Sequence, residues 1–221
     1  VTGVQTCALP IYFDPCTILR QTIETSDVTG GGAELFLYQS GYLTIKGYQM
    51  GVYILGFPNS EVRQALYETV LPALTLRGNS DIQSIQSDLL LAIQLGNLPE
   101  AMKCLKALIA DVPYSNKKLA SMDMEERYRL IMSTIFNAIG CRVEVEKMIA
   151  TGRIDMVVET TQYIYVLELK LSDNGGVDAA AEQIRAKQYA EPFKADKRKV
   201  IALAIELDDR GKGLVDWKEV F

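Results

Sequence analysis

The sequence predicts an α/β fold that is α+β overall: a C-terminal α/β domain with a mixed sheet follows a mainly helical region. Three observations support this prediction. Two strand-like runs, RIDMVVE and YIYVLEL, flank residues 160–162 and predict a hairpin. The run KVIALAIEL is almost continuously apolar, as in a strand that is buried on both faces. A helical segment over residues 177–191, stopped by Pro192, separates the two and can serve as a crossover between parallel strands.

Composition limits the chemistry and the setting. The 221 residues contain no histidine, which excludes a His-dependent triad, an imidazole base and a zinc site built on imidazole. The four cysteines show no paired spacing, so a disulfide framework is not expected. The expected setting is therefore a reducing cytoplasm. No apolar run reaches the roughly 18–20 residues that span a bilayer. The net charge of −5 argues against a surface that is basic overall, but not against a local basic patch.

The first eleven residues, VTGVQTCALPI, are left out of the fold prediction. They resemble the translation of a common sequencing-adapter oligonucleotide joined to a truncated reading frame. On that interpretation the native protein begins near Tyr12 and has lost upstream sequence. The alternative is an ordinary disordered N-terminus.

Residues 12–113 are predicted to form a mainly helical domain with a small hairpin. A short helix over residues 33–39 precedes the strands YLTIK and VYILGF, and Ser60 is the expected N-cap of the next helix. This order is similar to a winged helix, which suggests either nucleic-acid binding or a structural lid; the scarcity of cations favours the lid. The segments DIQSIQSDLLLAIQLG and LPEAMKCLKALIADV then predict a packed helical pair.

The polar segment PYSNKKLAS predicts a domain boundary, with residues 114–221 forming the second domain. A helix from about Asp123 to Ile139 opens this domain, with Asp123 and Glu126 as a capping box. On the helical wheel Glu125 falls within the apolar arc, so it belongs either to a frayed helix end or to a site. The strand CRVEVEKM follows, which gives the order helix, three strands, helix, strand.

The predicted hairpin brings two carboxylates together. If its turn is centred between Thr161 and Gln162, Asp155 lies opposite Glu168, with Cβ atoms about 4.5–5.5 Å apart. An odd-length loop would break this register. Facing carboxylates repel, so one of them should have a raised pKa unless a divalent cation offsets the charge, and their hard oxygen ligands suit Mg²⁺ or Mn²⁺. Lys170 lies on the same face of its strand.

Asp155 followed by Glu168-Leu169-Lys170, within this order of elements, resembles the PD-(D/E)XK nuclease superfamily. The resemblance implies a restriction-endonuclease-like αβββαβ fold, with Asp155 and Glu168 as metal ligands and Lys170 as a catalytic residue. Ile154 stands where the family pattern has proline, as in families that read GR-x-D. The alternative is a surface hairpin with an ordinary Glu–Lys pair.

The resemblance also implies catalytic roles for two helical residues. Glu125 matches the acidic residue often found on the first helix of the family, and Gln183 matches a helix glutamine of one branch, with Tyr189 after it. Together, YQSGYLTI, LGFPNSEVR, GRIDMVVET, YVLELK and QIRAKQYAEPF resemble bacterial proteins that join an AAA-ATPase-like module to a C-terminal PD-(D/E)XK domain.

On this resemblance, residues 12–113 are the tail of the ATPase module, and its P-loop lies upstream. The chain itself has no P-loop, because Gly211-Lys212 is followed by glycine and lacks a glycine five residues before it. ATP would therefore act only through the missing module, and this chain is expected to have no ATPase activity.

The implied function is Mg²⁺-dependent hydrolysis of phosphodiester bonds, with DNA as the expected substrate. Two alternatives stay open: an inactive nuclease fold that binds nucleic acid or a partner protein, and a structural domain without activity. A basic cluster is predicted to face the nucleic acid, with a solvated helix end as the alternative. Its members are Arg185, Lys187, Lys194, Lys197, Arg198 and Lys199, and Tyr189 is expected to help position the substrate.

Overall fold

The computed structural model describes residues 16–19, 23, 32–74, 79–110 and 122–221. Contacts within the chain group it into two units, Val1–Leu66 and Tyr67–Phe221. The adapter-like segment and the predicted boundary segment at residues 113–121 lie outside the described residues. The division into residues 12–113 and 114–221 therefore stays a prediction.

The first unit contains a small antiparallel sheet. Its strands are β1 (Cys16–Leu19), β2 (Thr44–Gln49) and β3 (Val52–Gly56), in the order β1-β3-β2. Helix α1 (Gly32–Gln39) precedes β2, and α2 (Ser60–Leu74) follows β3. The predicted helix–hairpin–helix order is confirmed, and β1 is an additional strand that the sequence analysis missed.

The N-cap of α2 differs from the prediction. Asn59, not Ser60, supplies the capping oxygen: its Oδ1 accepts a hydrogen bond from the Val62 N–H at 2.9 Å. The carbonyl of Asn59 also accepts from the Arg63 N–H at 3.3 Å, as the carbonyl of an N-cap residue does. Both residue types favour this position, so the sequence alone did not separate the two neighbours.

Three further helices belong to the described part of the chain before the main sheet. α3 (Asn79–Leu95) and α4 (Leu98–Ala110) pack as the predicted pair. α5 (Met124–Ala138) has the predicted N-cap, Asp123, but the side chain of Asp123 accepts a hydrogen bond from the Glu125 N–H and not from the Glu126 N–H that a capping box would use. No helix among the described residues is both long and apolar enough to cross a membrane.

The second unit is built on a five-stranded mixed sheet. Its strands are β4 (Arg142–Ile149), β5 (Gly152–Glu159), β6 (Tyr163–Leu171), β7 (Lys199–Leu207) and β8 (Leu214–Glu219), in sequential order. Strands β6 and β7 are parallel, and every other neighbouring pair is antiparallel. The α/β prediction with a mixed sheet is confirmed, and β8 adds an edge strand that was not predicted.

The connection between β6 and β7 is helix α6 (Gly176–Ala186), which packs on the core face of the sheet. Its Ala180, Ala181 and Ile184 join Val157 and Val166 in one buried cluster. Small alanines on the helix let it approach the strands closely, so the hairpin strands are fixed from this side.

Helix α6 is shorter than predicted, ending at Ala186 instead of Glu191. The Tyr189 N–H bonds to the Ile184 carbonyl and the Gln188 N–H to the Arg185 carbonyl, which is a Schellman ending. Gln188 occupies the left-handed position, with φ of 53°. This turn, which the downstream proline does not determine, directs Tyr189 back into the core, where it is 0% exposed.

Replacing Gln188 with glycine is expected to stabilise the protein by about 0.5–1 kcal/mol. Glycine adopts a positive φ without steric cost, whereas a residue with a Cβ does not. The measurement is the midpoint of urea unfolding, with Gln188→Ala as the control because alanine keeps the Cβ. A glycine variant no more stable than the alanine variant would contradict the expectation.

Candidate functional site

The two predicted carboxylates meet where β5 and β6 separate. The observed register pairs Met156 with Leu167 and Val157 with Val166. The turn-centred register is therefore confirmed, and continuing it by one residue places Asp155 opposite Glu168. At that point Asp155 Oδ2 accepts a hydrogen bond from the Leu169 N–H at 2.9 Å. The side chain thus takes the place of a strand carbonyl and is held in a fixed orientation.

Both carboxylates are withdrawn from water, Asp155 at 7% exposure and Glu168 at 0%. Glu168 Oε1 accepts a hydrogen bond from Lys170 Nζ at 3.0 Å. The other oxygen, Oε2, is buried and has no partner within hydrogen-bond geometry among the described residues, although the Tyr189 hydroxyl is close enough to lower the pKa of Glu168. Leaving a buried carboxylate oxygen unpaired is costly, so this atom points to a group that would satisfy it.

The electrostatics of the pair agree with that geometry. Burial, and secondly the charge of Asp155, raise the pKa of the Glu168 carboxyl to about 7, while the Lys170 ammonium opposes the shift. The expectation that one carboxylate of the pair would have a raised pKa is confirmed. A bound cation would stabilise the charged form of Glu168 and reverse the shift.

Arg129 of α5 also enters the site, although the sequence analysis did not single it out. Its Nη1 lies 3.2 Å from Asp155 Oδ1 and 3.6 Å from Glu146 Oε1. The Arg129 and Asp155 side chains are only 12% and 11% exposed. The sequence did contain an indication of this role. Arg129 lies one helical turn after Glu125, a candidate site residue, and therefore on the same face of α5.

Glu146 lies on β4, level with Asp155, because the neighbouring pairs are Val145 with Met156 and Lys147 with Ile154. Its φ is 54°, which is uncommon for any residue with a Cβ and costs roughly 1–3 kcal/mol. Arg153 Nη1 lies 3.1 Å from the Glu146 carboxylate. Glu146 therefore anchors two guanidinium groups beside Asp155, and the sequence analysis missed this role too.

Glu125 has a different setting from the one that the family resemblance implies. It is half-buried, and its Oε1 accepts a hydrogen bond from Asn174 Nδ2 at 3.4 Å, in the segment after β6. Within the described residues, it makes no hydrogen bond to Asp155 or Glu168. The structure thus brings Glu125 near the Lys170 end of β6 without joining it to the carboxylate pair.

Gln183 and Tyr189 form a short hydrogen-bonded chain. Gln183 Nε2 donates to Tyr189 Oη at 3.0 Å, and that hydroxyl donates to the Arg153 carbonyl at 2.6 Å. Burial raises the pKa of Tyr189 to about 12, so it remains a neutral donor. Because Tyr189 is fully buried, the expected direct contact with nucleic acid does not fit this geometry. These two hydrogen bonds instead connect α6 to β5 at Arg153, two residues before Asp155.

The predicted basic cluster is divided between the two ends of the sheet. Lys187 lies over Gly152, at the Asp155 end, where an added Cβ would be 3.3 Å from Lys187 Nζ. Lys199 pairs with Tyr163, five residues before the position level with Glu168, or about 16 Å away along the strand. Lys197, two residues before Lys199, is exposed beside it.

Two other members of the cluster are held by neighbouring acids. Arg198 Nη2 lies 2.9 Å from Glu159 and 2.8 Å from Asp196, and Lys194 lies 2.6 Å from Glu191. Arg185 is exposed on the last turn of α6. The six residues thus do not form a single patch, because sequence proximity did not reveal the sheet ends on which they lie, and their contact with nucleic acid stays a prediction.

The residues present suit a hard divalent cation. Among the described residues, no group of three or more Asp, Glu or Cys side chains could hold a metal ion. Mg²⁺, however, commonly takes only one or two protein carboxylates and keeps water or substrate oxygens as its other ligands. The unpaired Glu168 Oε2 beside Asp155 matches that requirement.

The region that carries this site is similar in sequence to a known protein family. Residues 123–217, which include the site and all of the main sheet except the end of β8, match the model of the PD-(D/E)XK nuclease superfamily. The "Uncharacterized protein in vnfD 5'region" of Azotobacter chroococcum mcd 1 is 29% identical over 212 residues. That alignment covers 90% of this chain and 39% of the relative, so the chain spans about two fifths of the relative's length. No solved structure matches the chain. Over residues 123–217, the chain is therefore similar to the domains of the PD-(D/E)XK nuclease superfamily.

Proposed function

We propose that this domain hydrolyses phosphodiester bonds of nucleic acid, DNA in the first instance, with Mg²⁺ or Mn²⁺ held by Asp155 and Glu168. The supporting observation is the buried carboxylate pair, with an unpaired Glu168 oxygen and Lys170 beside it. These features lie within a PD-(D/E)XK nuclease superfamily domain, for which divalent-metal chemistry on phosphates is the expected activity.

When bound, the metal would neutralise phosphate charge and make a coordinated water more acidic. The protein's own residues prepare the site for this chemistry. The Leu169 N–H orients Asp155, and Lys170 holds Glu168 from one side while its side chain, 19% exposed, remains accessible to substrate. Lys170 Nζ is the group that can stabilise negative charge developing on the phosphate.

Other residues are proposed to act around this centre. Gln183 acts through Tyr189 and the Arg153 carbonyl to hold the start of β5, so it is a positioning residue. Glu125 supports the loop after β6. Lys187, which lies over Gly152, would contact a phosphate near the cleavage point, whereas Lys197 and Lys199 would contact the nucleic acid at a distance from it.

The test is cleavage of labelled double-stranded DNA, single-stranded DNA and RNA by the purified chain, with Mg²⁺, Mn²⁺ or EDTA. Cleavage is expected only with metal, and Asp155→Asn is expected to lower it at least about a hundredfold while the fold remains. Glu126→Ala is the matched control, since among the described residues Glu126 makes no hydrogen bond with Asp155 or Glu168, and it lies on another face of α5. Metal-independent cleavage, or cleavage unaffected by Asp155→Asn, would contradict the proposal.

A binding module without catalysis is the second candidate. One observation favours it: the Arg129 guanidinium lies 3.2 Å from Asp155 and offsets the negative charge of that carboxylate. Nucleic-acid binding without metal-dependent cleavage in the same assays would establish this alternative. A structural domain would show neither binding nor cleavage.

The wider architecture remains a proposal that rests on sequence resemblance. We propose that residues 12–113 are the tail of an AAA-ATPase-like module, that ATP acts only through residues outside this chain, and that the protein works in the cytoplasm. We also propose that the first eleven residues derive from a sequencing adapter.

A further inference from the structure

We propose that Arg129 is a built-in counter-cation that competes with the metal for Asp155, and that metal entry transfers its guanidinium to Glu146. The inference rests on the proposed function, because it takes Asp155 as a metal ligand. It adds a regulatory contact on α5 to a site that is otherwise built from the β5–β6 hairpin.

The competition follows from the contacts of Asp155. One oxygen, Oδ2, is engaged by the Leu169 N–H, and the other, Oδ1, lies 3.2 Å from Arg129 Nη1. Both side chains are nearly buried, so water screens their attraction weakly. A cation that binds Asp155 through Oδ1 must therefore displace the guanidinium or share the oxygen with it.

The transfer follows from the position of Glu146. Its carboxylate already lies 3.6 Å from the same Arg129 nitrogen, on the strand next to β5 and level with Asp155. A small shift of the Arg129 side chain can therefore strengthen its contact with Glu146 and break its contact with Asp155. Glu146 is 39% exposed, so it is not itself confined to the buried site, and it holds this place despite an unfavourable φ of 54°.

Lys170 does not duplicate this role, because its ammonium binds Glu168. Each carboxylate of the pair therefore has its own resident cation in the metal-free protein. Among the described residues, Arg129 has a second carboxylate within 4 Å and Lys170 has none, which is why Arg129 is assigned the transfer.

The test is the affinity of the purified chain for Mn²⁺ alone, measured by calorimetry, together with the melting temperature in EDTA. Arg129→Gln is expected to bind Mn²⁺ about tenfold more tightly than wild type and to melt at a lower temperature in EDTA. Arg129→Lys keeps the charge and is expected to stay within about threefold of the wild-type affinity. Arg142→Gln is the matched control: it also removes one guanidinium, but Arg142 pairs with Glu159 at the other end of β5.

Glu146→Gln gives an independent measurement that does not depend on the buried arginine variant folding well. Without the second acceptor, Arg129 should hold Asp155 more firmly, so Mn²⁺ affinity should fall about threefold to tenfold. In the Arg129→Gln background the same substitution should change the affinity little. A double-mutant cycle thus separates transfer from the simple loss of a nearby negative charge.

Each outcome bears on a distinct claim. If wild type and Arg129→Gln both fail to bind Mn²⁺, the metal site is wrong, and the proposed function and this inference fail together. If wild type binds Mn²⁺ but Arg129→Gln binds no more tightly than Arg142→Gln, only the competition fails. If Glu146→Gln weakens binding equally in both backgrounds, the transfer to Glu146 is overturned.

Discussion

Replacing Lys170 with alanine is expected to lower metal-dependent cleavage at least about a hundredfold while metal binding persists. An ammonium is not a metal ligand, so its loss removes charge stabilisation without removing a ligand oxygen. Lys170 Nζ lies 3.0 Å from Glu168 Oε1, and the rest of its side chain follows the strand on which Glu168 is fixed. The variant should therefore separate chemistry from binding at a single residue.

The measurement is the cleavage rate at saturating metal, together with the melting temperature at increasing Mg²⁺. Lys170 lowers the pKa of Glu168, so the variant's metal affinity should fall near neutral pH and recover at pH about 8.5. Metal binding is therefore compared at the higher pH. A variant that cleaves at the wild-type rate, or that has lost metal binding even at high pH, would refute the assigned role.

The sequence was sufficient for the hairpin and its register. The period of two along a strand specified which side chains share a face, and the turn position predicted the observed pairing of Met156 with Leu167, which lies one residue from Asp155 and Glu168. Because β-strands have a period of two, an error of one residue would have placed the carboxylates on opposite faces. The order of the helices and most strands followed from similarly strong periodic patterns.

Contacts between distant segments could not be predicted in the same way. Arg129 reaches Asp155 because α5 packs against β4, β5 and β6, and no local pattern states that packing. The edge strand β8, with the burial pattern of a largely exposed segment, lacks the continuous apolar run that identified β7. Position in the sheet, not composition, separated Lys187 from Lys199.

The end of α6 is determined by the turn at Gln188 and not by the helix propensity of the whole segment. Helix propensity over residues 177–191 favours continuation to the proline, yet the chain turns at Gln188 in the left-handed conformation. The burial of Tyr189 and its hydrogen bond to the Arg153 carbonyl compensate for that conformation. This tertiary contact has no signature in the residues around the turn.

In the absence of metal, the free energy of unfolding is expected to fall by up to about 3 kcal/mol as the pH rises from about 4.5 to about 7. The folded-state pKa of Glu168 is raised from its ordinary value of 4.5 to about 7. Over that window the folded protein retains a proton that the unfolded chain has released, so higher pH favours unfolding. Above pH about 7 both states have lost the proton, and this contribution changes no further.

Glu168→Gln tests this directly, because glutamine resembles the protonated side chain at every pH and can still accept the Lys170 hydrogen bond. In EDTA at pH 8 the variant is expected to be more stable than wild type by about 2–3 kcal/mol, with no such decline between pH 4.5 and 7. Metal should reverse the order: at a hundredfold excess over its dissociation constant, it would stabilise wild type by about 2.7 kcal/mol and the variant much less. Urea unfolding at several pH values, with and without Mg²⁺, measures both effects. If the free energy of unfolding declines equally with pH in the two proteins, Glu168 is not the group responsible. If metal reverses their order of stability, the domain retains a destabilising buried carboxylate because metal binding requires it.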